Sequence, residues 1–184
     1  MNVKEAIEKR RAYRSLDPVE ISKDLIEDLT KNASLAPSCF NYQPWRFVFV
    51  YDRDKLKEVF SAMSRGNEWT NDASMIIAVF SKKELDCSIH GREYYLFDTG
   101  MATAFLILRA TELGLVAHPI AGYHENEIKK ILNIPEEAVL ITLINIGKHA
   151  KEIKPILSKK QANDEKNRPH RMSTTEVAYI NVVK

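Results

Sequence analysis

The chain has 184 residues and a formal net charge of +2. That length suits one domain with an ordinary core, and the charge is too close to balance to imply a nucleic-acid surface by itself. Apolar residues make up 45% of the chain, yet no apolar run is long enough to span a bilayer, and the opening M-N-V-K-E-A-I-E-K-R-R lacks the apolar stretch of a signal peptide. The two cysteines, Cys39 and Cys87, suggest neither a disulfide framework nor a four-ligand zinc site by number or spacing. A cytoplasmic protein in a reducing compartment, without a metal and without a membrane or nucleic-acid partner, is the expectation.

Asn2 followed by Glu5 has the pattern of a capping box and predicts a first helix running to about Arg11. A second helix is expected from near Ser22, with Leu25, Ile26, Leu29 and Ala33 at helical spacing, ending before Pro37. Residues 47–51 read as a buried strand, after which Asp54 caps a helix carrying Leu56, Val59, Phe60 and Met63. Residues 75–80 form a second apolar strand. Residues 94–113 predict a long helix, apolar on nearly all sides, that Gly114 terminates; such a helix belongs at the centre of something large, such as a dimer core. A short strand over 116–120, an amphipathic helix over 125–132 and a strand over 139–146 follow. Residues 150–171 are lysine-rich, polar and weakly periodic, and 177–183 return to β-forming residues. This arm either adds to a sheet edge on a partner chain or frays as a tail. Helices and strands alternate, so the class is α+β or α/β.

The chain contains no G-x-G-x-x-G after a strand, no phosphate-loop G-x-x-x-x-G-K, no H-E-x-x-H and no G-x-S-x-G. Cys87 and His90 form a C-x-x-H pair, which reads as a surface turn because structural zinc needs two further ligands. An enzyme of this kind borrows its chemistry from an organic cofactor. Three segments stand out. Arg10-Arg11-Ala12-Tyr13-Arg14 is either a basic helix end that suits the helix dipole or a set of guanidinium groups converging on a dianion. Residues 36–47, A-P-S-C-F-N-Y-Q-P-W-R-F, form a proline-bounded loop, either structural or closing over a ligand. Residues 119–123, P-I-A-G-Y, put small residues at a strand end, where a ligand can approach the backbone.

Taken in order, these segments resemble the FMN-dependent nitroreductase family. The resemblance also rests on N-E-W-T-N-D-A-S-M-I-I-A-V, on D-T-G-M-A-T-A-F-L-I-L-R-A-T-E-L-G-L and on I-N-I-G-K. It covers most of the chain, and P-S-x-x-N-x-Q-P-W is its most specific part. It implies an α+β fold over residues 1–184, with a central, mostly antiparallel sheet flanked by helices and an extended arm from about 150 to 184. It further implies an intertwined homodimer with FMN at the subunit interface and segment 177–184 exchanged onto the partner's sheet.

By the same resemblance Arg10, Arg11, Ala12 and Arg14 match the segment that contacts the FMN phosphate and ribityl chain, although many relatives have serine where Ala12 stands. Arg168 or Arg171 completes the phosphate site, with Arg171 favoured by its spacing. Pro37, Ser38 and Cys39 match a loop that reaches the flavin from the opposite subunit. Asn67 matches a contact to the pyrimidine edge, and Ala121 and Gly122 match backbone lying against the ring near N5. The implied activity is reduction of nitroaromatic, quinone or flavin acceptors by NADH or NADPH, by hydride transfer in a ping-pong sequence. No side chain serves as a nucleophile. Cys39 is expected to pack as a free thiol with no redox part, since free cysteine behaves as a small hydrophobe. The rivals are a non-catalytic flavin carrier or sensor on the same fold and, below it, a nucleic-acid module built on the basic arm.

Overall fold

The computed structural model of the protein describes residues 1–183. Helix α1 (Val3–Lys9) starts at the expected capping box: Asn2 accepts from the Glu5 N–H and the Glu5 carboxylate accepts from the Asn2 N–H. It ends at Lys9, short of Arg11, so Arg10 to Arg14 lie on non-helical chain leading into β1 (Leu16–Asp17). Helix α2 (Lys23–Ala33) is capped by Ser22, as expected, and a single 3-10 turn (Cys39–Asn41) precedes β2 (Arg46–Val50). Helix α3 (Arg53–Ser61) is capped by Asp52 rather than Asp54. Asp52 has the extended backbone of a cap and accepts from the Asp54 and Lys55 N–H groups, which leaves Asp54 in the first turn.

Strand β3 (Met75–Ser81) is followed by a hairpin of β4 (Ser88–Ile89) and β5 (Arg92–Glu93) that the sequence reading did not contain. Its turn is His90-Gly91, both at positive φ, so the C-x-x-H pair does form a turn. Helix α4 (Tyr95–Glu112) ends before Gly114, whose φ of +78° is the left-handed conformation a helix stop favours. Then come β6 (Val116–Ile120), α5 (Glu125–Ile131) and β7 (Val139–His149).

β7 is the spine of the sheet. It pairs with β3 from Met75↔Ile146 to Ser81↔Val139, with β6 from Val116↔Gly147 to Ile120↔Leu143, and with β1 at Leu16↔His149. β2 pairs with β3, and every strand pair among the described residues is antiparallel. The central strands read as unbroken apolar runs because both faces are covered. Along β3, Ile76 and Ala78 face Leu56, Val59, Trp69 and Ile128, whereas Met75, Ile77 and Val79 face Leu29, Ala33, Leu106 and Ala110. The α+β fold with helices on both faces of an antiparallel sheet is therefore as expected.

Two expectations need correction, and the end of the arm stands as a single chain allows. The basic arm is not featureless: Ser158 and Gln161 form a capping box that starts α6 (Lys159–Lys166), and Glu165 on it is only 6% exposed. Residues 177–183 do not form a strand in this chain. Val177 closes the short α7 (Thr174–Val177), and Ile180, Val182 and Val183 are exposed on irregular backbone. β-forming residues make a strand only where a ladder is within reach. Lys184 lies outside the described residues.

The second correction is Cys39, which is bonded to Cys87, with Cα atoms 6.2 Å apart, so it is not a free packing thiol. Their separation of 48 positions in sequence conceals a contact that only folding creates, when the 3-10 turn comes to rest beside the chain entering β4. Beyond Cys39 the backbone is constrained: Phe40, Asn41 and Gln43 all have left-handed φ, at a cost on the order of 1 kcal/mol each.

The cap assignment is open to a direct check. Asp52→Ala is expected to lower the unfolding free energy by about 1 kcal/mol in urea titrations, with a smaller effect from Asp54→Ala; the reverse order would return the cap to Asp54.

Candidate functional site

Because α1 stops at Lys9, its last carbonyls and the following arginines face the chain that leaves α6. Arg10, Arg11, Ala12 and Arg14 on one side, and Asp164, Arg168, Pro169 and Arg171 on the other, line a cavity of about 110 Å³. The structure thus brings together every arginine singled out in the sequence, and both Arg168 and Arg171 take part. Arg168 donates to the carbonyls of Glu8 and Arg10, the latter at 3.1 Å. Arg11 Nη2 donates to the Asp164 carbonyl at 2.6 Å, and Arg14 Nη1 lies 3.9 Å from the Asp164 carboxylate. The side chains of Arg10 and Arg171 make no hydrogen bond among the described residues. Burial, followed by the charges of Arg168 and Arg171, lowers the Arg10 pKa from its usual value. Five guanidinium groups around one carboxylate repel one another, and a small dianion would relieve that repulsion. By charge, this cavity suits a phosphate dianion such as that of FMN.

The cavity is held in place from behind by residues that the sequence reading passed over. The buried Glu165 carboxylate accepts from the Arg14 N–H at 2.6 Å and from the Ser15 N–H at 3.4 Å, and lies 3.5 Å from His149 Nε2. His149 stacks on Tyr13 with centroids 3.6 Å apart, and the Arg11 guanidinium sits 4.7 Å from the centre of the Tyr13 ring. His118 on β6 places Nδ1 2.9 Å from the Tyr13 carbonyl and stacks on Trp69. Burial drives the His118 pKa down to about 4; Arg14 and Arg10 push the same way, against the Tyr13 carbonyl and Glu165. The ring is therefore neutral near pH 7 and donates from Nδ1 to Tyr13. The one sequence signal for this support was the S-K-K-Q capping box that begins α6.

The second part of the site lies where β6 ends. Asn67 Nδ2 donates to the Gly122 carbonyl at 2.8 Å, the Ser64 N–H donates to the same oxygen at 3.0 Å, and Trp69 Nε1 donates to Asn67 Oδ1 at 3.3 Å. A Cβ on Gly122 would lie 2.3 Å from Asn67 Nδ2, so any larger residue here would displace the Asn67 amide from the Gly122 carbonyl. Gln161 on α6 donates to the Gly66 carbonyl at 2.8 Å, which ties the Asn67 turn to the helix that carries Glu165. Ala121, Gly122, Asn67 and the arginine cavity thus belong to one braced region, linked through Trp69, His118 and Tyr13.

Pro37, Ser38 and Cys39 lie elsewhere. Their loop rests against α4: the Cys39 N–H donates to Asp98 Oδ2 at 2.6 Å, Ser38 Oγ accepts from the Gln43 N–H at 3.0 Å, and Trp45 is buried against Ala36 and Ala102. No hydrogen bond or ion pair among the described residues joins this loop to the arginine cavity.

His118 makes the apoprotein sensitive to acid. Its pKa in the fold, about 4, is below the ordinary 6.5, so its contribution to stability is complete above the ordinary value and is lost as pH falls through the folded one, a change of roughly 3 kcal/mol. In His118→Phe the loss of stability between pH 7 and pH 4 is expected to be shallower; a slope equal to that of the unaltered chain would exclude His118 as its source.

A profile described as the nitroreductase family matches residues 7–68 and 60–148. A protein of Archaeoglobus fulgidus, provisionally named NADH dehydrogenase/NAD(P)H nitroreductase, is 31% identical over 142 residues, which span 75% of this chain and 80% of that protein. An iodotyrosine deiodinase of Thermotoga neapolitana is 31% identical over 163 residues, spanning 75% and 81%. Among solved structures, one described as an oxidoreductase containing FMN has a TM-score of 0.86 at 27% identity and covers 100% of this chain and 94% of its own. With the matched profile extending over well more than half of its length, the chain belongs to the nitroreductase family.

Proposed function

We propose that the protein is an FMN-dependent oxidoreductase that takes electrons from NADH or NADPH and passes them to a small-molecule acceptor. The observation that carries this reading is the arginine cavity, where five guanidinium groups face one carboxylate. Bound FMN would supply the hydride-accepting N5 and the onward electron transfer. The chain's part is to hold, orient and cover the cofactor. Arg10, Arg11, Arg14, Arg168 and Arg171 hold the phosphate. Ala12 offers no hydroxyl there, and its neighbours' charged donors compensate, since such bonds are about twice as strong as neutral ones. Ala121 and Gly122 keep the end of β6 free of bulk so that a flat ring can lie against the backbone, and Asn67 fixes the Gly122 carbonyl at the pyrimidine edge. Donor and acceptor then use the same cleft in turn, which is the ping-pong pattern. The flavin-containing neighbour and the nitroreductase name of the archaeal relative support this assignment.

A homodimer is part of the proposal. Within one chain α4 leaves Leu96, Phe97 and Phe105 exposed, with Phe40 and Tyr42 of the 36–47 loop also exposed. Large apolar surface of this kind suits a second copy of the chain. Pro37, Ser38 and Cys39 of the partner subunit would then complete each flavin site. The outer edge of β2 has no strand partner among the described residues, and the exposed Ile180, Val182 and Val183 suit an arm that crosses to the partner's sheet. No helix among the described residues is long and apolar enough to cross a membrane.

Purified protein provides the first test. Yellow protein with flavin absorbance that bleaches on anaerobic addition of NADH or NADPH is expected; a persistent yellow colour would favour a carrier, and protein that takes up no added FMN would exclude both. Nitroaromatics, quinones, free flavins and a halotyrosine, the last suggested by the deiodinase relative, form the acceptor panel.

The phosphate assignment has a sharper test. The side chains of Arg10 and Arg171 have no hydrogen-bond partner among the described residues, so Arg10→Ala with Arg171→Ala is expected to weaken FMN retention at least ten-fold, each charged contact being worth ~1.5–3 kcal/mol. The same change relieves repulsion, so the apoprotein should be no less stable. Unchanged retention would exclude both residues from the site.

A further inference from the structure

The Cys39–Cys87 bond joins the 37–43 loop to the hairpin of β4 and β5. A carboxyl group holds the backbone of each cysteine: the Cys39 N–H donates to Asp98 Oδ2 at 2.6 Å and the Cys87 N–H to Asp86 Oδ1 at 2.8 Å. An Asp86 oxygen and the two sulfurs lie within 4.8 Å of one another. Asp86 Oδ2 is buried and has no hydrogen-bond partner. Burial raises the Asp86 pKa, the Cys87 N–H opposes the rise, and the nearby charge of Asp98 adds to it. Both cysteines are partly exposed, so an incoming thiolate has access. Directly after Cys39, the left-handed Phe40, Asn41 and Gln43 hold the loop in a conformation that the tether helps to maintain.

We propose that this disulfide is a reversible latch on the 37–43 loop, opened by thiol–disulfide exchange with a dithiol, with the Asp86 carboxyl group beside the sulfurs exchanging a proton with the leaving thiolate. A thiolate of the dithiol attacks one protein sulfur, the bond between the two cysteines breaks, and a mixed disulfide forms. The other protein sulfur leaves as a thiolate and takes a proton from the Asp86 carboxyl group beside it. The second thiol of the reagent then attacks the mixed disulfide, releases the remaining cysteine and closes the reagent's own disulfide. The protein gains two electrons and two protons, the dithiol loses them, and Asp86 recovers its proton from the incoming thiols. Opening leaves the loop held by the Asp98 and Ser38 hydrogen bonds and by the buried Trp45, so its left-handed residues can relax. The Asp98 and Asp86 bonds keep the two cysteines close enough for the bond to re-form. The consequence for the flavin rests on the reading above, in which Pro37, Ser38 and Cys39 cover the cofactor; opening then loosens its hold.

The test uses the oxidised, flavin-bound protein treated anaerobically with dithiothreitol, with free thiols trapped by iodoacetamide and counted by intact mass. The native protein is expected to gain two labels without losing its far-ultraviolet circular dichroism. Flavin loss on dilution should become at least five-fold faster, as it should in Cys87→Ser without any reductant. Asp86→Asn is expected to form the disulfide yet be reduced several-fold more slowly. Labelling that requires a denaturant would overturn the latch, and two labels with unchanged flavin loss would overturn its link to the cofactor. Asp86→Asn reduced as fast as the unaltered chain would remove the carboxyl group from the step. Thiol trapping needs no flavin, so failure of the latch and failure of the flavin reading give different results.

Discussion

Crowded positive charge governs the functional end of this molecule. Arg10, Arg11, Arg14, Arg168 and Arg171 share a cavity of about 110 Å³ with a single carboxylate, Asp164. Left to themselves these side chains would spread into water. They are held because the chain on which they stand is pinned from behind by the buried Glu165, whose carboxylate takes the Arg14 and Ser15 N–H groups. Glu165 keeps its place through α6, and α6 through its capping box and through Gln161, which reaches Gly66. The repulsion stored in the cavity is therefore the counterpart of its affinity for an anion: binding relieves what folding has concentrated.

The sheet explains why this site can be rigid. β7 carries partners on both sides, and its far end reaches β1, the strand that follows the arginines directly. His118 on β6 is locked between the Tyr13 carbonyl and the Trp69 ring, and β6 runs on into Ala121 and Gly122. The arginine cavity and the end of β6 are consequently referred to the same antiparallel plate, buried on both faces. A neutral His118 suits this position, since a charged imidazolium would add to the positive charge already gathered there.

The 36–47 loop follows a different logic. Its strain, its bond to Cys87 and its anchorage on Asp98 concern the α4 side of the chain, with no hydrogen bond or ion pair to the arginines among the described residues. In the proposed homodimer the loop of one subunit would meet the arginine cavity of the other, with the apolar residues left exposed on α4 as the contact that aligns them. Such a division would make the proposed cofactor site dependent on assembly, and the loop a natural place for control.

Much of this was legible in the amino-acid order. The capping box at Asn2, the Ser22 cap, the stop at Gly114 and the apolar runs of β2, β3, β6 and β7 depend on neighbours within a few residues, so local rules sufficed. The arginine cluster was visible for the same reason, as was the P-I-A-G-Y strand end. What the order of residues left hidden was long-range. Glu165 lies 151 residues from the N–H of Arg14 that it binds, and Cys39 lies 48 residues from Cys87; no local pattern reports such pairs. The choice of Asp52 over Asp54 turned on backbone angles, and the β-forming tail at 177–183 found no ladder in its own chain. Propensity and periodicity decided which elements exist, whereas the buried carboxylate, the disulfide and the convergence of five like charges came from tertiary packing, because each joins groups that only the folded backbone brings within bonding distance.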